Sequence, residues 1–283
     1  MGWIKYTLIG VTAVLLLAVL GGYFCLKSIG IIPRDIYETV PPEIPAFSRP
    51  AILVLNKANG FVHVDALPAA DEAFTQIAQA REWDIFLTDN AASHNPEDLQ
   101  KFRLVIWNNV SGDVLTEEQR GGLRNWIEQG GGWLGVHGSG GDPQYKWSWY
   151  VDTLIGAQFV GHTRDPQFQD ADVMVADESL EIVAKLPQPW RIAKEEWYAF
   201  DANPRDKGYE ILLTIDEGSY ITRGETFLWD DNMEGEHPLA WRHSVGEGRA
   251  FYSAIGHQAA TYSLPEYRAL LANAMAWAMA IDH

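Results

Sequence analysis

The sequence predicts an α/β fold: a doubly wound, mainly parallel sheet with an antiparallel β extension, plus one N-terminal transmembrane helix. Three observations lead there. First, AILVLN (51–56), WDIFLT (83–88), LVIWNN (104–109) and WLGVH (133–137) are short apolar runs separated by helical patterns. Strands buried on both faces read as such runs, and their alternation with helices gives a parallel sheet covered on both sides. Second, the later chain is richer in strands, with DVMVAD, RIAKEEWYAF, YEILLTI, PLAWRHSV and GRAFYSAIG before a closing helix, PEYRALLANAMAWAMA. Third, residues 6–26 carry no charge.

That uncharged stretch, at about 1.5 Å rise per residue, makes roughly 32 Å of helix, enough for a bilayer core. It reads as a membrane span or a signal sequence. GGYFCLKSIG offers no A-x-A-like cleavage site and Gly22, Tyr23 and Phe24 do not suit a lipoprotein signal, so an uncleaved anchor over 1–27 is preferred. The basic residues lie on both sides of the span and do not orient it. A short tail before one early span usually stays inside, which places the rest outside the cytoplasm, periplasmic or extracellular. Residues 28–50 hold five Pro from Pro33 to Pro50 and read as an extended tether. Residues 51–283 then form one domain without internal repeats.

Within that domain AILVLN is followed by a helix with apolar Leu67, Ala70, Phe74, Ile77 and Ala78. After LVIWNN, the helix LTEEQRGGLRNWIEQGG has Thr116 as N-cap and Gly130 as its stop. The chain is 47% hydrophobic and 21% charged, enough for one sizeable core. Beyond residue 50 there are 17 Lys/Arg against 35 Asp/Glu, a net charge of −18, which argues against nucleic acid as a partner. The only cysteine is Cys25, inside the span, so the domain has no disulfide, thiolate metal site or thiol nucleophile.

GGGWLGVHGSGGD (130–142) formally contains G-x-G-x-x-G, but that fingerprint must follow a strand and open a helix. Here the order is reversed, so these glycines read as a helix stop and tight turn. Ser139 lacks the flanking glycine of a nucleophile elbow and is a weak nucleophile candidate. His137 ends a predicted strand, and Gly138 to Gly141 leave room above it, at the edge where open α/β sheets hold ligands. The bland alternative is an imidazole bonded to loop backbone. His63 follows the first strand and His257 the last, so the three gather at one sheet edge, with His162 able to join. Glu195 and Glu196 adjoin in RIAKEEWYAF, where a strand sends them to opposite faces. Three His plus one carboxylate can hold zinc or a similar divalent metal, although no H-E-x-x-H or H-x-H pair occurs; no other cofactor has a motif here. Without metal, neutral imidazoles suit proton transfer. His94 and His283 read as solvated, and His243 as strand packing.

These residues resemble the ThuA-like (trehalose utilisation) family, with the class I glutamine amidotransferase-like, flavodoxin-like fold. The likeness spans 51–283 and rests on NGFVH (59–63), SGDVLTEEQ (111–119), GGGWLGVHGSGGD (130–142), WSWYVDTLIGAQFVGH (147–162), EEWYAFDANPR (195–205), HPLAW (237–241) and GRAFYSAIGH (248–257). It implies pocket positions at His63, His137, Asp142, Trp147, His162, Glu196, Tyr198, Arg205, His237 and His257. Gly138 and Ser139 depart from the small alanines expected after the strand-end His. The parent fold's Cys is absent, which excludes thiolate glutamine hydrolysis. The resemblance implies carbohydrate metabolism, with a sugar or 3-keto-glycoside as the small-molecule partner. A ketone acidifies the neighbouring C–H, so Glu196 or His137 is the expected base. His63 and His257 are the expected acid or carbonyl polariser, and Trp147 with Trp149 the sugar-stacking wall or plain helix packing. Two other readings remain: a non-catalytic sugar-binding or accessory protein, and a metal-dependent hydrolase using the same pocket.

Overall fold

The computed structural model describes residues 2–28, 32–224 and 230–281. Helix α1 (Gly2–Ser28) contains an 18-residue window, Gly10–Lys27, of mean hydropathy 1.9 that buries nothing against the rest of the protein. It is long and apolar enough to cross a membrane.

The following segment differs from a free tether. Residues 32–50 are extended, without helix or strand, yet they lie against the domain. The Arg34 backbone N–H donates to the Asn59 carbonyl (2.6 Å) and its guanidinium to the Ala58 carbonyl (2.7 Å). Glu38 pairs with Lys57, the Glu38 carbonyl accepts from the Gln119 amide (2.7 Å), and Ile44 and Phe47 pack on the core. Proline removes ladder donors without preventing apolar side chains and carbonyls from finding partners.

The strands in chain order are β1 (Ala51–Leu55), β2 (Asp84–Thr88), β3 (Leu104–Asn108), β4 (Gly132–Val136), β5 (Phe159–His162), β6 (Gln169–Val175), β7 (Trp190–Glu195), β8 (Tyr198–Phe200), β9 (Glu210–Ile215), β10 (Pro238–Val245) and β11 (Gly248–Ser253). Nine form one sheet in the order β2-β1-β3-β4-β11-β10-β9-β6-β7. The first five are parallel and the remaining pairings antiparallel; the four early apolar runs form the parallel part as expected, and β11, from the strand-rich later chain, joins them by pairing parallel with β4. Every residue of β1, β3 and β4 is buried, whereas edge strand β2 is only half-buried.

The longer helices are α2 (Ala66–Ala80), α4 (Glu117–Glu128) and α5 (Pro265–Ala278), with the single turn α3 (Pro96–Leu99) between α2 and α4. Adjacent strand residues show that both sheet faces are covered. Asn108 bonds the Leu67 carbonyl and Asp71 of α2, while Trp107 reaches His94, just ahead of α3, on the other face.

RIAKEEWYAF is not one strand. It breaks at Glu196–Trp197 into β7, in the large sheet, and β8, which pairs with β5 in a separate two-stranded sheet. WSWYVDTLIG forms a π-helical turn over Tyr150–Ile155, and His162 is the last residue of β5.

The cap of α4 matches expectation: Thr116 accepts from the Gln119 N–H, and the Gln119 side chain accepts from the Thr116 N–H. Thr116→Ala is expected to cost about 1 kcal/mol in urea unfolding. At the other end Gly130 takes φ +115°, and a Cβ on Gly132 would come within 2.3 Å of the Ala278 carbonyl oxygen, so helix stop and close packing both need glycine.

Candidate functional site

The parallel topology brings three distant histidines together. His63 follows β1, His137 follows β4 and His257 follows β11, all at the carboxyl edge of the sheet. The rings of His63 and His137 have centroids 4.9 Å apart, His63 and His257 4.9 Å, and His137 and His257 5.1 Å. Glu196, freed from the ladder by the break between β7 and β8, completes the group. Its Oε2 lies 3.1 Å from His257 Nδ1 and 3.3 Å from His137 Nε2, and those two nitrogens are 3.1 Å apart.

His137 is fully enclosed, sits in the left-handed region at φ +39°, and bonds the Ala254 carbonyl through Nδ1 (2.7 Å). Its ring stacks on Tyr198 at 4.1 Å. Glu196 Oε1 accepts from the Gln167 amide (2.5 Å) and lies 3.3 Å from His162 Nδ1. Burial would push the Glu196 carboxyl up, but the hydrogen bonds to His137 and His257, and the charge on those rings, hold it well below the usual carboxylate range. Burial, followed by the neighbouring His137 and His257, pushes His63 well below the ordinary imidazole value, so it is neutral at pH 7. His63 Nδ1 is buried with no hydrogen-bond partner among the described residues.

Above this cluster opens a cavity of about 450 Å³. His63, His257, Glu196 and His162 line it, Phe61, Phe159 and Tyr198 give it aromatic faces, and Asp113, Asp142 and Lys146 add polar groups. Burial pushes Asp142 upward. Pro33, Arg34 and Asp35 of the docked segment form part of the wall, a contribution hidden by the segment's linker-like composition.

Several expected positions lie elsewhere. Trp147 and Trp149 stack against each other (5.1 Å) under Arg120 and Arg124, half-buried by packing and absent from the cavity wall. Arg205 forms a surface ion pair with Glu236 (2.6 Å). His237 is buried behind the site, bonded to Glu217 (2.8 Å) and to the Tyr198 carbonyl (2.8 Å), so it holds Tyr198 from behind and is not part of the cavity wall. Ser139 is buried, donating to the Trp107 carbonyl and accepting from the Val110 N–H, a structural role. His94 is fully buried, contrary to the solvated reading, because its Nε2 accepts from Trp107 Nε1 (3.1 Å). His243 stacks on Tyr209 at 3.7 Å, as packing implies. His283 lies outside the described residues.

The room provided by Gly138, Gly140 and Gly141 is taken by protein: a Cβ there would strike His63, Tyr252 and Tyr198 respectively. Glu195 holds more of the site together than strand alternation implies. Both adjoining acids are buried, and Glu195 accepts from the His257 N–H (3.0 Å), the Glu196 N–H (2.9 Å) and the Thr261 hydroxyl (2.6 Å). It builds the turn that presents His257. Phe61, inside the quoted NGFVH block, is half exposed on the cavity wall and was the legible signal for an aromatic face.

A doubly wound α/β domain with a histidine-rich cavity at its carboxyl edge is the class defined so far. The chain belongs to the ThuA family, described as trehalose utilisation, whose model matches residues 51–278; this is a carbohydrate-related family. Among solved structures it is similar to a ThuA-like protein from Bacteroides uniformis, with 24% identity, TM-score 0.70, and coverage of 84% of this chain and 95% of that one. A ThuA-like protein from Parabacteroides merdae follows, with 17% identity, TM-score 0.61, and coverage of 82% and 90%. The fold also recurs within a β-galactosidase from Bacillus circulans sp. alkalophilus, at 11% identity and TM-score 0.54, covering 83% of this chain and 31% of that one. A search of curated proteins by sequence finds no match.

Proposed function

We propose that this ThuA-family chain is a membrane-anchored protein of carbohydrate metabolism, with its domain outside the cytoplasm, acting on a sugar or 3-keto-glycoside by His/Glu acid–base chemistry. The observation that carries this reading is the cavity itself. Its volume of about 450 Å³ falls in the range of small-molecule sites, and imidazoles with a buried carboxylate lie at its base. Phe61, Phe159 and Tyr198 take the stacking role first given to Trp147 and Trp149, offering flat apolar faces to sugar C–H groups.

We assign the base on access to the cavity: both oxygens of Glu196 are occupied, and His137 is enclosed. His63 lines the cavity as a neutral ring. In the proposed reaction it takes the proton from the carbon beside the ketone, and the C–H electrons move onto the carbonyl oxygen. As the carbonyl re-forms, a carbon–carbon double bond is made and the glycosidic C–O bond breaks. The leaving oxygen takes up the proton carried by His63 and departs as an alcohol, which returns His63 to its neutral form, and an enone sugar remains. His257, on the cavity wall and held by Glu196, polarises the carbonyl oxygen.

The test uses the full chain in detergent with 3-keto-glycosides, trehalose and other disaccharides, following products by NMR. His63→Gln is expected to lower turnover by roughly 100-fold or more while sugar affinity changes little. Sugar binding without product from any of these compounds would leave a binding or accessory protein; neither binding nor product removes the carbohydrate reading.

A further inference from the structure

His137, His257 and Glu196 converge more tightly than proton-transfer chemistry requires. Three ligand-type atoms, His137 Nε2, His257 Nδ1 and Glu196 Oε2, form a triangle with edges of 3.1, 3.1 and 3.3 Å. A tetrahedral zinc ion with ligands at about 2.0–2.1 Å needs edges of roughly 3.3 Å. The triangle is therefore already at coordination spacing.

His137 Nδ1 is 2.7 Å from the Ala254 carbonyl, which can only accept, so Nδ1 carries a hydrogen and is engaged outside the triangle, leaving Nε2 as the nitrogen that faces it. The surrounding bonds also match metal ligands: each orients a ligand through the atom that does not face the centre. His137 is fixed by Ala254, and Glu196 Oε1 by Gln167 and His162, leaving Oε2 directed inward. His63, with a ring nitrogen within 4.8 Å of ligand nitrogens on His137 and His257, flanks the side nearest the cavity.

We infer that His137 Nε2, His257 Nδ1 and Glu196 Oε2 bind a divalent cation of the zinc class, with the remaining coordination position available to a ligand in the cavity. Two imidazoles and one carboxylate are a donor set for such ions, and an open position is what separates a working site from a structural one. The inference rests on the proposed function in one respect: the cation would sit where the ketone oxygen is received, polarising it while His63 handles the proton.

The experiment needs no sugar. The full chain in detergent, stripped by dialysis against EDTA, is titrated with Zn²⁺ and with Co²⁺. Roughly one equivalent should bind, with visible Co²⁺ ligand-field bands that Zn²⁺ displaces. His257→Ala and Glu196→Ala, each checked as folded by circular dichroism, should weaken binding by about 100-fold or more. His257→Cys keeps a ligand at the position, so its Co²⁺ form should gain a sulfur-to-metal charge-transfer band; Cys25, present in every form, supplies the baseline. No binding, binding unchanged in the alanine variants, or no sulfur band in folded His257→Cys overturns the site. Metal retained without turnover of any sugar would leave the site standing and remove the catalytic reading, whereas turnover persisting in chelator would do the reverse.

Discussion

Replacing Glu195 by Ala is expected to lower the unfolding free energy by about 4 kcal/mol, the scale for leaving several buried donors without their acceptor. Glu195 has no exposed surface, and its two oxygens gather the N–H groups of Glu196, His257 and Gln258 and the hydroxyl of Thr261. Those donors belong to two segments far apart in sequence, the end of β7 and the loop after β11, so the carboxyl group acts as a clasp. Ala leaves the donors buried without an acceptor, each at a cost of about 1–3 kcal/mol that relaxation only partly recovers. Glu195→Gln keeps one acceptor oxygen and sets an amide N–H₂ against donors; its loss should be smaller, near 2 kcal/mol. Urea unfolding measures the stabilities, and hydrogen exchange at the His257 and Gln258 amides reports on the clasp itself. A loss under about 1 kcal/mol for Glu195→Ala, with unchanged exchange at His257, would show that the turn holds without it.

Because Glu195 acts through the backbone of His257, the same substitution should disturb the site without touching a ligand. This second layer was the least legible part of the chain. Its first layer was readable because topology does the work: a strand-end residue in a parallel sheet is delivered to the carboxyl edge whatever its distance in sequence. His63, His137 and His257 each follow a run that is visibly a strand. Glu196 was readable as a candidate, but the reason for its placement was not. The strand period of two carries through RIAKEEWYAF without signalling that the chain changes sheets at Glu196–Trp197.

Aromatic identity misled in a similar way. Tryptophan beside a helix is as suited to stacking under Arg120 and Arg124 as to lining a cavity, and composition cannot choose between them. The Pro-rich segment 32–50 reads as a linker because proline leaves few donors for regular structure. Its docking depends on partners such as Lys57, Ala58 and Gln119 that belong to the folded surface. The residues that sequence reasoning placed correctly owe their positions to backbone topology, and those it misplaced owe theirs to side-chain partners chosen after folding.

His94 is an example of the second kind and leads to the other large expected effect. Burial, partly offset by a hydrogen bond to the Ala91 carbonyl, pushes its pKa down from 6.5 to about 4, and its Nε2 is committed to accepting from Trp107. Above pH 6.5 folded and unfolded chains both hold the ring neutral, and its full contribution to stability is present. Between pH 6.5 and 4 the unfolded chain takes up a proton that the folded chain excludes, so stability falls as pH falls through this window. A depression of about 2.5 pH units corresponds to about 3 kcal/mol lost by pH 4. Carboxylates titrating in the same range blur the total, and comparison with His94→Gln isolates the histidine. The amide oxygen of Gln can still accept from Trp107 Nε1 but cannot gain a proton. Urea midpoints measured from pH 7.5 to 4.5 should therefore fall more steeply for the natural chain than for His94→Gln, with the two curves converging at the acid end. Parallel curves would mean that the ring takes up its proton alike in the folded and unfolded chains, and the neutral, Trp107-bonded His94 would have to be abandoned.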